Sequence, residues 1–160
     1  MNGEFCTFFV DDLYVGIPVQ RVQEVLRFQP MTAVALAPDV IQGLINLRGE
    51  IVIAIDLRRR LGMKDRAATD EPPTNIIVRT ESGPVSFLVD AINDVVSTDP
   101  STFEPTPATL TGTLRDLTIG VYKLEERLLL ILDHEGAADV AQSREDEERT
   151  AVTPRARLAQ

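Results

Sequence analysis

The chain carries one fold unit twice. A shift of 70 places Val15, Ile17 and Val19 on Val85, Phe87 and Val89, places Val22, Glu24 and Val25 on Ile92, Asp94 and Val95, and places Pro30 and Thr32 on Pro100 and Thr102. Farther along the shift becomes 77, so that Gly43 meets Gly120, Leu47 meets Leu124, Asp56 meets Asp133, and the apolar run Ile51 to Ile55 meets Leu128 to Leu132. The seven extra residues fall between Thr102 and Gly120, where Pro105, Pro107 and Gly112 mark a loop. Two copies of a unit this long do not make a solenoid. They predict two small barrels or sandwiches side by side. Pro, Gly and Asp matched at constant offset separate this repeat from a chance agreement between two alternating strand patterns.

A chain of 160 residues with 44% hydrophobic content can bury a real core, as one compact domain or two small ones sharing an interface. Its apolar runs are about five residues long, far from the ~20 that span a bilayer, so direct membrane insertion is not expected. Met1 to Asp12 has neither a basic n-region nor a signal-type apolar run. The single Cys6 excludes an internal disulfide, and the expected compartment is the cytoplasm. Cys6 falls in an apparent strand and reads as a buried, inert thiol. Net charge is −9 and unevenly spread: residues 1–68 are neutral, while residues 69–138 hold twelve acids and four bases. This balance argues against a nucleic-acid surface. The one basic run, Arg58-Arg59-Arg60, is expected on the solvated face of a short helix.

Short strands at close spacing predict a mainly all-β fold with a few short helices. Strands are expected at Glu4–Val10, Leu13–Ile17, Ile51–Ile55, Asn75–Thr80, Val85–Val89, Ile119–Leu124 and Arg127–Leu132, with Ile51–Ile55 buried on both faces. Val22–Phe28 and Ala91–Val96 suit a helix or a strand. Asp39 is placed to cap a helical turn ending near Gly43, and Asp56–Leu61 reads as a short helix stopped by Gly62. Residues 1–68 and 74–138 form the two copies, with strands open to exchange at the boundary. Residues 139–160 are polar and charged, and disorder is expected there.

Catalytic chemistry has little to stand on. His134 is alone after the last strand and is expected at the surface or as a cap. No phosphate loop or metal-ligand spacing is present, so no cofactor, metal or catalytic residue is expected. Asp56 and Asp133 occupy equivalent positions and are expected to be structural caps.

The corner Asn46-Leu47-Arg48-Gly49 sets the copies apart, because the second copy reads Lys123-Leu124-Glu125-Glu126. Leucine recurs, as a core anchor would; Asn46, Arg48 and Gly49 do not. Asn and Gly tolerate positive φ and suit a tight turn, with Arg48 solvated at its tip. Arg48 equally offers a planar donor fork to a carboxylate or to backbone carbonyls of a partner.

The run INLRGEIVIAIDLRRRLG resembles the signature of the CheW-like chemotaxis adaptor family. IPVQRVQEVLRFQPMTAVALAP ahead of it, and VSFLVDAINDVVS and LLLILD after it, extend the resemblance from Phe5 to Leu132. The resemblance implies two tandem SH3-like five-stranded β-barrels and a protein that is not an enzyme. It implies binding to the regulatory domain of a CheA-type histidine kinase and to the cytoplasmic tip of chemoreceptors, at membrane-associated receptor arrays. Arg48 would then lie near the receptor-facing region, and Gly43, Val22, Glu24 and Asn46 belong to the same expected partner-binding set. A groove between the barrels would take the receptor's helical hairpin tip, and apolar outer faces would meet the kinase. The segment His134-Glu135-Gly136-Ala137-Ala138 departs from the family in lacking a leucine-rich helix. No fused receiver domain or kinase core is expected. Two other functions fit the residues less closely: an adaptor of a related non-flagellar pathway such as pilus-based motility, and a small-ligand-binding paired-barrel protein.

Overall fold

The computed structural model describes residues 3–67 and 70–140. Among the described residues, eleven strands form two sheets. The strands are β1 (Glu4–Val10), β2 (Leu13–Pro18), β3 (Val22–Leu26), β4 (Ile41–Leu47), β5 (Glu50–Asp56), β6 (Thr74–Thr80), β7 (Gly83–Val89), β8 (Ala91–Ser97), β9 (Phe103–Glu104), β10 (Thr118–Lys123) and β11 (Leu128–Leu132). Three short helices are α1 (Leu57–Arg60), α2 (Gly112–Asp116) and α3 (His134–Ala138). Both segments that suited helix or strand are strands, β3 and β8. Their β-branched residues pair at sheet edges, where tertiary pairing overrides a weak helical stripe.

The strands are exchanged between copies. One sheet runs β8-β1-β2-β11-β10-β9 and the other β3-β6-β7-β5-β4. Each sheet therefore combines the first hairpin of one copy with the later strands of the other. The joint is a parallel pair in both cases: Val15 and Gly16 of β2 face Leu130 and Ile131 of β11, and Val85 and Ser86 of β7 face Ile53 and Ala54 of β5. These residues correspond under the offsets of 70 and 77, so the repeat reproduces even the pairing register. The bulges repeat as well. One interrupts β1/β8 between Cys6 and Phe8 and its counterpart β6/β3 between Val22 and Glu24; another lies between Ile41 and Gly43 and recurs between Thr118 and Gly120.

A single large core joins the sheets. Phe8, Val15, Ile17 and Leu132 from one meet Ile55, Ile76, Val78 and Phe87 from the other, with Leu57 and Leu61 in the same cluster. Aromatic residues Phe5, Tyr14 and Tyr122 fill a second cluster within the six-stranded sheet, and Leu47, Val52 and Ile77 a third beneath the β4–β5 corner. Ile51 is exposed rather than buried, because β5 leaves the core at its first two residues.

The two aspartates are caps. Asp56 Oδ1 accepts from the Arg58 amide at 3.0 Å, and Asp133 Oδ1 accepts from the Gly136 amide at 3.0 Å. Asp39 does not start a helix; the turn at Pro38–Ile41 leads directly into β4, with Gly43 inside the strand. The arginine run is also not a solvated face. Arg58 and Arg60 are buried, and only Arg59 reaches the surface, where Asp65 accepts from its Nε at 2.9 Å. Burial is tolerated because each buried guanidinium finds fixed acceptors. Arg58 Nε donates to Asp90 Oδ2 at 2.8 Å. Arg60 donates to the carbonyls of Ala137 and Gly136 at 3.0 and 2.9 Å, tying α1 to the end of α3. Burial pushes the Asp90 carboxyl up, but the hydrogen bonds from Arg58, the Asp11 amide and Arg66 outweigh it, and the net direction is down.

Cys6 is half-buried, and burial raises its thiol pKa, as expected of an inert cysteine. His134 corresponds to Leu57, which is fully buried. It is neither at the surface nor a cap. Its side chain is 13% exposed, and the Glu135 carboxylate stands 3.5 Å from Nε2 without hydrogen-bonding geometry. Ala137 is buried after it, and Ala138 and Val140 pack on the main core. Small apolar residues thus seat α3 where leucines were missed. Of the tail expected to be disordered, residues 139–160, Asp139 and Val140 are described, with Val140 packed against the main core, and residues 141–160 lie outside the described residues.

Asp56→Ala and Asp133→Ala should each lower unfolding free energy by about 1 kcal/mol, the usual worth of a helix cap, in urea titrations. Burial lowers the His134 pKa, so the folded state resists protonation. An unfolded histidine takes up its proton below about pH 6.5. Stability is therefore complete above that pH and falls as pH drops toward the folded pKa. His134→Leu should remove this loss, raising Tm more at pH 5 than at pH 8 in thermal denaturation.

Candidate functional site

The β4–β5 hairpin turns in two residues. Leu47 pairs with Glu50, while Arg48 and Gly49 both hold positive φ, 52° and 88°. This left-handed pair is the signature of a type I′ hairpin turn, whose twist matches that of its strands. Gly49 accepts it freely; Arg48 bears a cost of about 1 kcal/mol for an L-residue in that region. Asn46, expected to take positive φ, stays in the strand instead. Its Oδ1 accepts from the Gly49 amide at 2.9 Å and locks the turn from within.

Arg48 reaches from this tip to Glu24 on β3, forming an ion pair with a hydrogen bond from Nη2 to Oε1. Strand β3 is one edge of its sheet and β4 the other. The pair therefore bridges the open seam. A second closure lies farther along, where Thr32 and Leu44 exchange backbone hydrogen bonds of 2.9 and 2.8 Å. Hydrogen bonding and the positive charge of Arg48 hold the Glu24 carboxyl below the usual carboxylate range. Arg48 remains 66% exposed. Surface pairs of this kind add little stability. What this one supplies is position: it fixes a guanidinium fork at a rigid tip, with donors still facing solvent.

The expected site residues gather only in part. Asn46, Arg48 and Glu24 share the corner. Val22 lies two residues before Glu24, but the bulge between them turns it to the other face of the strand: Val22 is opposite Val78 and packs against the main core, while Glu24 is opposite Ile77. Gly43 is away from the tip, in the bulged part of β4. A Cβ there would stand 2.8 Å from the Thr32 carbonyl oxygen, so glycine is needed for the close approach that seals the seam. Its counterpart Gly120 meets the Phe103 ring and the Glu104 carbonyl in the same way.

Two apolar side chains near the site escaped the sequence reading. Ile51, cross-strand from Asn46, is 60% exposed, and Val25 beside Glu24 is 44% exposed. The signal was present in the alternation of β3 and β5. It was hidden by treating Ile51–Ile55 as one buried run.

The other half has no such corner. Glu24 and Arg48 correspond to Asp94 and Glu125, two acids that cannot pair. The second hairpin end is instead closed by the Leu124 amide donating to the Arg127 carbonyl at 2.9 Å. The Arg127 guanidinium lies over the Tyr14 ring at 4.8 Å. Among the described residues, no group of three or more His, Cys, Asp or Glu is arranged to hold a metal, and no helix is long and apolar enough to cross a membrane.

Comparison with known proteins agrees with this architecture. The CheW-like domain model matches residues 4–142. The chemotaxis protein CheW of Klebsiella aerogenes is 32% identical over 135 residues, covering 84% of this chain and 81% of that protein. The chemotaxis protein CheW of Bacillus subtilis is 33% identical over 135 residues, with coverage of 82% and 84%. The crystal structure of the scaffolding protein TtCheW from Thermoanaerobacter tengcongensis superposes with a TM-score of 0.74 at 28% identity, covering 82% of this chain and 89% of that one. Its fold is two SH3-like β-barrels, and the two mixed sheets here are the same pair. By its matched length, its duplicated barrel fold and its one polar corner, the chain belongs to the CheW-like domain family.

Proposed function

We propose that this protein is a non-enzymatic cytoplasmic adaptor that couples chemoreceptors to a CheA-type histidine kinase, with residues 1–138 acting as one unit. The observation that carries the site assignment is the ion pair between Arg48 and Glu24, held at a rigid corner in one half and absent from the other. The family membership supports the adaptor role. In this reading the receptor tip is met by Arg48, with Glu24 and Asn46 holding its fork and Val22 and Gly43 holding the strands beneath. A planar fork of fixed direction suits carboxylates or helix carbonyls on a helical hairpin. The exposed apolar side chains Ile51 and Leu128, equivalent positions on the two β-hairpins, suit barrel-to-barrel contact with the kinase regulatory domain. Two separate faces on one rigid body allow receptor state to bias the kinase by differential contact.

The test is a titration of the chain against a CheA-type kinase and a receptor of the same array. Arg48→Glu should abolish receptor coupling while leaving Tm within a few degrees, since the pair is exposed. Normal coupling in that variant, or its unfolding, overturns the assignment of the corner. Charge exchange, Arg48→Glu with Glu24→Arg, should restore Tm but not coupling, because the pair is rebuilt with the fork on the wrong strand. Leu128→Asp, in the sheet that lacks the Arg48 corner, should weaken kinase binding about tenfold or more, as expected for an apolar side chain central to an interface, and should leave receptor binding intact. A folded chain that binds no such kinase would sink the adaptor reading.

A further inference from the structure

A bulge in each half turns one side chain out of its sheet. In β4 it falls on Gln42, between the pairs Ile41–Ile55 and Gly43–Ala54. In β10 it falls on the equivalent Ile119, between the pairs Thr118–Leu132 and Gly120–Ile131. Gln42 lines a cleft of about 190 Å³, whose other walls include Asp56, Arg59, Asp65 and Arg66. Ile119 lines a cleft of about 900 Å³. A second wall residue differs in the same sense. Glu104 pairs with Val121 as Thr32 pairs with Leu44, which sets Phe103 in the place of Met31. Met31 lines the smaller cleft and Phe103 the larger. The repeat thus places a cleft at the same point of each half, and the side chains make the second one larger and more apolar.

The apolar wall of the larger cleft is held in place by its own packing. Phe5 and Tyr122 are buried, with ring centroids 5.6 Å apart, and Phe103 meets Tyr122 edge-on at 5.1 Å. The Phe103 ring is exposed and rests on Gly120, where a Cβ would stand 2.3 Å from it. Glycine is therefore what lets this ring lie on the strand. Ile119 and Ile131 complete the wall. All five residues belong to the six-stranded sheet. Two cations share the cleft with them. Arg79 comes from β6 in the other sheet, and Arg21 ends the turn Val19–Arg21 that carries the chain from β2 to β3. Arg79 Nη1 donates to the Gln20 carbonyl at 3.1 Å, which fixes its guanidinium against that turn. His134 also lines the cleft, and burial disfavours its charged form. Glu4 is the carboxylate of the wall. Two guanidiniums against one carboxylate leave a single positive charge there, in a chain whose net charge is −9.

We propose that this cleft is a binding site for a small aromatic monocarboxylate. Its volume lies in the range of small-molecule sites, which are mostly apolar, carry a few polar groups that fix orientation, and include the mouths of β-barrels. An aromatic body packs on Phe103 and Ile119, the exposed side chains of the wall, above the Phe5–Tyr122 floor. The carboxylate takes N–H donors from Arg21 and Arg79, whose planar forks match its two oxygens. One net positive charge suits a monoanion, and Glu4 disfavours a dianion such as a phosphate monoester. The acidic body as a whole repels anions, so these two arginines supply the local attraction that a carboxylate requires.

The site is independent of the adaptor role and is tested on the full chain alone, with 2-naphthoate as the probe and neutral 2-naphthamide as its match. In a titration followed by backbone amide resonances, naphthoate should bind saturably, one per chain. It should shift Gln20, Arg79, Ile119 and Tyr122 and leave Val25 and Ile51 in place. Naphthamide should bind about tenfold more weakly or worse, the usual worth of a hydrogen bond to a charged group. Arg21→Gln with Arg79→Gln should weaken naphthoate by a similar factor and leave naphthamide within twofold; both arginines are exposed, so this variant keeps the fold. Phe103→Ala should weaken both probes. Equal affinity for the two probes overturns the proposal, as does naphthoate binding that survives the double arginine substitution. Cleft resonances that move with protein concentration before any probe is added overturn it too, because a second copy of the chain would then be the occupant.

Discussion

Every other feature of this structure depends on the two parallel joints, β2 against β11 and β7 against β5. Each barrel is closed only by a hairpin contributed by the other half of the chain, so neither sequence copy has a complete sheet of its own. The shared core follows from this. Ile17 and Phe87, equivalent residues on exchanged hairpins, are both fully buried in the one cluster that spans the sheets. Burial on that scale, and not the short helices or the surface ion pairs, is what offsets the entropy of ordering the chain.

A duplicated frame also indicates where to look for function, because symmetry-related positions share structural duties. Gly43 and Gly120 allow the same close approach, Asp56 and Asp133 the same cap, and Leu47 and Leu124 the same anchor. The divergent pairs are those free to specialise. Glu24 and Arg48 against Asp94 and Glu125 give one corner a fixed cation and leave the other acidic. Leu57 against His134 replaces a core leucine by a titratable ring beside the larger cleft.

Much of the fold was legible because periodicity and repeat both reported on backbone pairing. The hairpins, the caps at Asp56 and Asp133, and the stop at Gly62 follow from local rules. What local rules do not encode is the partner across space. Three successive arginines read as a solvated face because Asp65, Asp70 and Glu71 follow closely in sequence; Asp65 does meet Arg59, but Asp90 and the α3 carbonyls, which hold Arg58 and Arg60, are 32 and 76 or more residues away from them. Ile51 was taken as buried because strand composition does not say where a strand leaves its core. The corner itself was identified from its contrast with Lys123–Glu126. Glu24 entered the expected site through the family resemblance alone, and its pairing with Arg48 is seen only in the structure, since a contact across 24 residues has no signature in spacing.

The exchange of hairpins has a consequence during synthesis. Val15 cannot meet its neighbour Leu130 until nearly the whole folded body has left the ribosome, roughly 6–20 s at ordinary elongation rates of about 5–20 residues per second. Through that interval the β2 edge of the first hairpin is unpaired on a nascent chain, and polysomes hold many such chains close together. The hairpin β1–β2 of one molecule fits the vacancy in another as well as its own. The architecture that makes the finished protein one body thus makes intermolecular hairpin swapping its natural misassembly, favoured by crowded translation and opposed by anything that shields the first hairpin until the last strand emerges.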